Sequence, residues 1–179
     1  EGANRVWRND GMGTFNDTGQ SLGSSDSRAV ALGDLDGDGD IDAFVANRNQ
    51  ANRVWRNDGT GEFDSSQSLG DSDSRGVTLG DLDGDDDLDA FVANDGANRI
   101  WANDGTGGFV DSGQEFADLE SWAVALGDVD GDRDLDAFVA NLGPDKIWLN
   151  DGVGKFDDSG QWLGSSRSWA VALGDVDGD

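Results

Sequence analysis

The chain has no cysteine, no histidine and no tyrosine, and only one proline and one methionine in 179 residues. Without cysteine there is no disulfide framework, thiolate zinc site or cysteine nucleophile. Without histidine the commonest general base is missing, and with it any Ser-His-Asp triad built from within the chain. Positive charge is scarce as well: 12 Lys and Arg stand against 38 Asp and Glu, a formal net charge of −26. Nucleic acid and anionic membrane surfaces call for the opposite balance, so the composition argues against both as partners. Apolar runs such as 29–32 and 43–46 are far too short to span a bilayer. No signal peptide is visible and the chain opens at Glu1 rather than Met, so a processed or excised piece is expected. What is present is glycine, 28 residues of it, with seven Trp, eight Phe and 35% hydrophobic residues. That is enough apolar surface for one folded domain, provided the clustered carboxylates meet a cation.

The clusters recur. Gly33, Gly80, Gly127 and Gly174 are each 47 residues apart, and Trp7, Trp55, Trp101 and Trp148 follow at spacings of 48, 46 and 47. Around the glycines the text reads RAVALGDLDGDGDIDAFVAN, RGVTLGDLDGDDDLDAFVAN, WAVALGDVDGDRDLDAFVAN and WAVALGDVDGD. Around the tryptophans it reads NRVWRNDGMGTF, NRVWRNDGTGEF, NRIWANDGTGGF and DKIWLNDGVGKF. Each unit predicts four short strands, of the kind 29–32, 41–46, 53–56 and one starting at 62, with an Asn-Asp-Gly hairpin signature between the last two. No segment holds a helical period. Four antiparallel strands in about 47 residues is the unit size of a β-propeller blade, which buries its faces only by stacking on neighbours. The recurring Trp and Phe, and Leu22, Leu69, Phe116 and Leu163, suit that packing role.

The expected organisation is one all-β array with complete repeats at 28–74, 75–121 and 122–168 and partial blade pieces at 1–27 and 169–179. The two pieces sum to 38 residues, nine short of a fourth unit, which reads as a window cut from a longer array.

The loop between the first two strands carries Asp34, Asp36, Asp38, Asp40 and Asp42, at positions 1, 3, 5, 7 and 9. The second copy has Asp81, Asp83, Asp85, Asp87 and Asp89, and the third Asp128, Asp130, Asp132, Asp134 and Asp136. Adjacent like charges at roughly 4 Å cost about 1 kcal/mol per pair in water, and more where solvent is excluded. Asp-Gly runs also form ordinary solvated turns, but three copies in one register between apolar strands point to a hard divalent cation. Calcium, with 6–8 oxygen ligands in flexible geometry, fits better than magnesium, and zinc is a poor match to oxygens alone. Three ions are expected; a fourth requires completion of the last loop, which keeps Asp175, Asp177 and Asp179 and then stops. At position 6, Gly39 gives way to Asp86 and Arg133, which costs something if the backbone there needs positive φ.

The text GDLDGDGDIDAFVAN, followed by a variable loop and NRVWRNDGTGEF, resembles FG-GAP/VCBS repeats, the calcium-bearing blades of integrin-α-type β-propellers. The resemblance covers essentially the whole chain. It implies side-chain ligation by Asp34, Asp36, Asp38 and Asp42, with Asp40 lending its carbonyl, and the same roles at 81–89 and 128–136.

From these readings the expected role is an extracellular, calcium-stapled module for adhesion, presenting loops to a protein or glycan ligand. A lectin is an alternative, with Trp122, Trp162 and Trp169 as candidate sugar-stacking residues; the same rings also suit packing against neighbouring loops. Self-association through an incomplete terminal blade, giving rings or filaments, is another. An enzyme is not expected. Residues that break the repeat, such as Glu115, Glu120, Pro144, Lys146 and Lys155, form no recognisable catalytic constellation.

Overall fold

The computed structural model describes residues 2–116 and 118–176, and among these every regular element is a strand. β1 (Asn4–Asn9) and β2 (Phe15–Leu22) form a two-stranded sheet. β3 (Ser27–Gly33), β4 (Asp42–Asn47), β5 (Asn52–Asn57) and β6 (Phe63–Leu69) form a four-stranded antiparallel meander. The pattern repeats in β7 (Asp73–Gly80), β8 (Asp89–Ala97), β9 (Arg99–Asn103) and β10 (Phe109–Asp111). It repeats again in β11 (Asp118–Gly127), β12 (Asp136–Asn141), β13 (Lys146–Asn150) and β14 (Phe156–Asp158). The start of β11 also pairs with the end of β8, Leu119 opposite Gly96, so the last two meanders share one sheet. Among the described residues no helix is long and apolar enough to cross a membrane.

Local chemistry explains the elements. β4 and β12 carry the same DAFVAN text, and β8 opens with it; its four apolar residues, between an Asp and an Asn, are buried on both faces of β4. β3 alternates, with Val30 and Leu32 turned outward. Register slips by one residue at Arg28, Arg75 and Trp122, a bulge at one place in each unit, and bulges re-aim the side chain they carry. In the hairpin turn 57–61, Asp58 accepts from the Thr60 N–H at 2.8 Å while Gly59 and Gly61 take φ of 78° and 85°, open only to glycine without strain.

The core lies between meanders rather than within them. Leu35, Phe44, Val54 and Leu69 of the first pack on Ala90, Val92, Trp101 and Phe109 of the second. Leu82, Phe91, Ile100 and Phe116 of the second pack on Val139, Trp148 and Phe156 of the third in the same way. Edge-on ring pairs recur across both boundaries, Phe44 with Phe109 at 5.5 Å and Phe91 with Phe156 at 5.8 Å. A blade cannot cover its own faces, and stacking resolves that.

Two departures from the expected packing stand out. Trp55, Trp101 and Trp148 are buried, but Trp7 is 55% exposed because β1–β2 has no inner strand pair to lie against it. Residues 168–176, which repeat the β11 text, form no regular strand, although Leu173 packs over Gly127 as Leu79 packs over Gly33.

Candidate metal centre

Each Asp loop joins the first two strands of a meander: β3 to β4, β7 to β8, β11 to β12. The first aspartate folds the loop around itself. Asp34 accepts the N–H groups of Gly37 and Gly39, both at 2.9 Å. Asp81 accepts from Gly84 and Asp86 at 2.8 and 3.1 Å, and Asp128 from Gly131 and Arg133 at 2.7 and 3.0 Å. To aim those amides inward the backbone turns left-handed at positions 4 and 6. Gly39 sits at φ 91°, and Asp86 and Arg133 are held at 71° and 83° in the same place, where side chains are strained.

The last aspartate anchors the loop to the sheet. Asp42 is fully buried and accepts from the Leu35 N–H at 3.0 Å and the Asn57 N–H at 2.8 Å. Asp89 does the same with Leu82 and Asn103, and Asp136 with Val129 and Asn150. The seventh-position side chains turn away from the loop interior. Asp40, Asp87 and Asp134 rest on Gly59, Gly105 and Gly152 so closely that a Cβ there would collide. A ligand role for that position therefore falls to its backbone carbonyl.

Carboxylate oxygens converge in every loop. Asp34, Asp36 and Asp42 offer oxygens within 4.8 Å of one another, as do Asp81, Asp83 and Asp85, and Asp128, Asp130 and Asp136. Asp38 and Asp132 lie outside the converging sets and accept from the Asp40 and Asp134 amides at 2.9 and 3.0 Å, a cap that Asp85 also makes with Asp87 at 3.0 Å. The donor set is all oxygen, and Asp36 Oδ1 and Asp83 Oδ1 are buried without a hydrogen-bond partner. A hard divalent cation is the partner such atoms fit. Proton affinities point the same way. Burial, reinforced by the neighbouring carboxylates, holds Asp36 and Asp83 above the ordinary carboxylate range. Burial pushes Asp89 up to about 6, with the Asn103 and Leu82 amides pulling against it and the charges of Asp83 and Asp85 adding to it.

In the fourth copy, Asp175 lies at the end of the described chain, and Asp177 and Asp179 lie outside the described residues. The three tryptophans singled out for sugar stacking are not one platform. Trp122 and Trp169 touch, with ring centroids 4.2 Å apart, and the Arg75 guanidinium lies over the Trp122 ring, 4.1 Å from its centroid. Trp162 stands with Lys146, whose Nζ is 4.0 Å from its ring. Trp162 and Trp169 are 62% and 59% exposed, so both remain accessible.

Residues that tie the loops to the next meander carry no chemistry on their own and escape a motif search. Asn103 donates to the Leu35 carbonyl at 3.0 Å and Asn150 to the Leu82 carbonyl at 2.9 Å. Gln67 clasps the Phe109 backbone, donating to its carbonyl at 2.7 Å and accepting its N–H at 2.8 Å. Gln114 clasps Phe156 likewise, and Gln20 bridges Gly61 and Phe63. The signal was available, since Gln20, Gln67, Gln114 and Gln161 are spaced by 47 residues each.

A family model described as FG-GAP-like repeat matches four times, over residues 1–45, 34–92, 81–139 and 128–179. No curated protein matches the chain. Among solved structures, one of an Agrocybe aegerita lectin that recognises non-reducing terminal N-acetylglucosamine superposes with a TM-score of 0.56 at 20% identity. The match covers 95% of this chain and 48% of the lectin, so the chain spans about half the length of that structure. A second likeness, to the Photorhabdus luminescens Tc holotoxin pore, has a TM-score of 0.42 and 18% identity, over 86% of this chain and 8% of the other. The fold is that of a β-propeller array, built from repeats of the matched kind.

Proposed function

The chain belongs to the FG-GAP-like repeat family, and from that premise we propose that it is a non-catalytic, extracellular β-propeller module whose blades are braced by calcium and whose loops present a surface to a ligand. The observation that carries the reading is the trio of converging carboxylates in each Asp loop, two of them holding a buried oxygen without a partner. Asp34, Asp36 and Asp42 would hold the ion in the first loop, Asp81, Asp83 and Asp85 in the second, and Asp128, Asp130 and Asp136 in the third. Bound calcium supplies the positive charge that offsets carboxylate repulsion. The chain's own residues do the rest. Asp42 and Asp89 fix the loop to the third strand, and the loop in turn delivers Leu35 and Leu82, each 1% exposed, into the core shared with the next blade. Oxygen loops of extracellular type fill only where calcium is plentiful, which supports secretion or display at a cell surface.

Isothermal titration of calcium into the chelated chain tests the reading. It is expected to show about three sites, one per described loop, and heats no larger than dilution would overturn it.

A carbohydrate ligand is the second reading, favoured by the exposed Trp162 and Trp169 and by the fold shared with the lectin. Aromatic faces stack on the apolar faces of sugar rings, and the surrounding Asp and Asn match hydroxyls. A glycan array decides it: binding that Trp162→Ala or Trp169→Ala abolishes supports it, and silence across the array removes it.

A further inference from the structure

One residue beyond the repeating tryptophan stand Arg8, Arg56 and Ala102. The first two arginines reach across a blade boundary. Arg8 donates to the Thr60 carbonyl and Arg56 to the Thr106 carbonyl of the following unit's hairpin turn. Arg56 also brings its Nε to 3.6 Å from Asp36 Oδ2, and its guanidinium covers Gly107 so closely that a side chain there would collide. A guanidinium thus fills a slot walled by a loop carboxylate, a turn carbonyl and a glycine.

At the next boundary the slot is there and the guanidinium is not. Ala102 replaces Arg56, while Asp83, Val153 and Gly154 stand where Asp36, Thr106 and Gly107 stood. These four residues line a cavity of about 260 Å³. The tie across the boundary is kept, because Asn150 reaches the Leu82 carbonyl at 2.9 Å as Asn103 reaches Leu35 at 3.0 Å, while Asp83 comes closer to Gly154 than Asp36 does to Gly107. Asp83 Oδ1 is buried without a hydrogen-bond partner, as is Asp36 Oδ1 beside Arg56, so that oxygen is left to the ion and the guanidinium contact falls to the other oxygen, as at Asp36 Oδ2. Lys155, at the cavity rim, directs its ammonium to Asp157 at 2.6 Å, outside the slot.

We propose that this cavity is a binding site for a guanidinium group, such as an arginine side chain presented by a partner peptide. Arg56 displays the recognition in cis: a planar cation with several donors pairs with a carboxylate and a carbonyl together. Asp36 belongs at once to its loop's oxygen cluster and to the Arg56 contact, so ion holding by Asp83 and guanidinium binding are compatible. The surplus of negative charge, −26 in all, raises the local concentration of cations at the entrance.

The test is a titration of methylguanidinium into ¹⁵N-labelled chain kept in calcium, with tetramethylammonium at equal ionic strength as the charge-only control. The proposal expects saturable shifts of the Ala102, Asp83 and Gly154 amides with methylguanidinium and none that saturate with the control. In Ala102→Arg the slot is filled from within, and these shifts are expected to vanish. In Arg56→Ala a second slot opens, and Asp36, Thr106 and Gly107 are expected to shift as well. Absence of saturation in the unmodified chain, equal shifts in Ala102→Arg, or no second set in Arg56→Ala would each overturn it.

Discussion

Asp86 and Arg133 hold a left-handed backbone, φ 71° and 83°, at the place where the first loop has Gly39 at 91°. Their amides must point at Asp81 and Asp128, so the strain is the cost of closing the loop. Arg133→Gly is expected to raise stability by about 1 kcal/mol, and Asp86→Gly by less because Asp tolerates this region better than Arg; calcium-saturated denaturant melts measure both. The pH response follows from Asp89. Its folded carboxyl titrates near 6, above the unfolded value, so in the metal-free chain its contribution to stability is present at about pH 4 and is lost as pH rises through about 6. An ion held by Asp83 and Asp85 would disfavour that proton, because the charges of both carboxylates already act on Asp89. Calcium affinity is therefore expected to fall on acidification below about pH 6 and to level off above it, which titration calorimetry at several pH values reads. Spacing made the aspartates legible in the sequence. Which oxygens converge was not: Asp38, Asp85 and Asp132 all accept the seventh-position amide of their own loop, yet of the three only Asp85 joins its cluster.

Between elements, the sequence was legible wherever a local pattern controlled the outcome. DAFVAN is apolar enough to be buried on both faces, and Asn-Asp-Gly carries its own turn, so strands and hairpins could be read off directly. Contacts across a blade boundary leave no such local mark: Gln67 and Phe109 are 42 residues apart and joined by one amide clasping one peptide. The clasp has a measurable weight. Gln67→Ala strips partners from a part-buried backbone N–H and C=O and is expected to cost about 1–3 kcal/mol. Leu82→Ala, which empties a 1% exposed site beneath the second Asp loop, is expected to cost about 2–5 kcal/mol. Chemical denaturation in calcium checks both. The Leu82 variant should also weaken ion binding at its own loop, since the residue that orders the boundary is the second residue of the loop proposed to hold the ion.

At the scale of the molecule, the stack is a series of faces that cover one another, and the loops that close those faces are the most heavily charged parts of the chain. Trp7, exposed on β1, shows what a face looks like without its neighbour. The repeat made the architecture visible before any coordinate, because each unit of 47 residues has the same four strands and the same unsatisfied faces. What repetition hid were the exceptions, and Ala102 in the place of Arg56 matters through a cavity that only packing reveals. If the carboxylate clusters are braced by calcium, the whole array should depend on it. Saturation at about 100 times Kd adds about 2.7 kcal/mol per site, so three sites correspond to roughly 15–30 °C in melting temperature for a chain of this length. The most direct measurement is a calorimetric melt of the chain in millimolar calcium and again in excess chelator. A transition at least about 10 °C lower in chelator is the predicted result, and superimposable transitions would contradict the account.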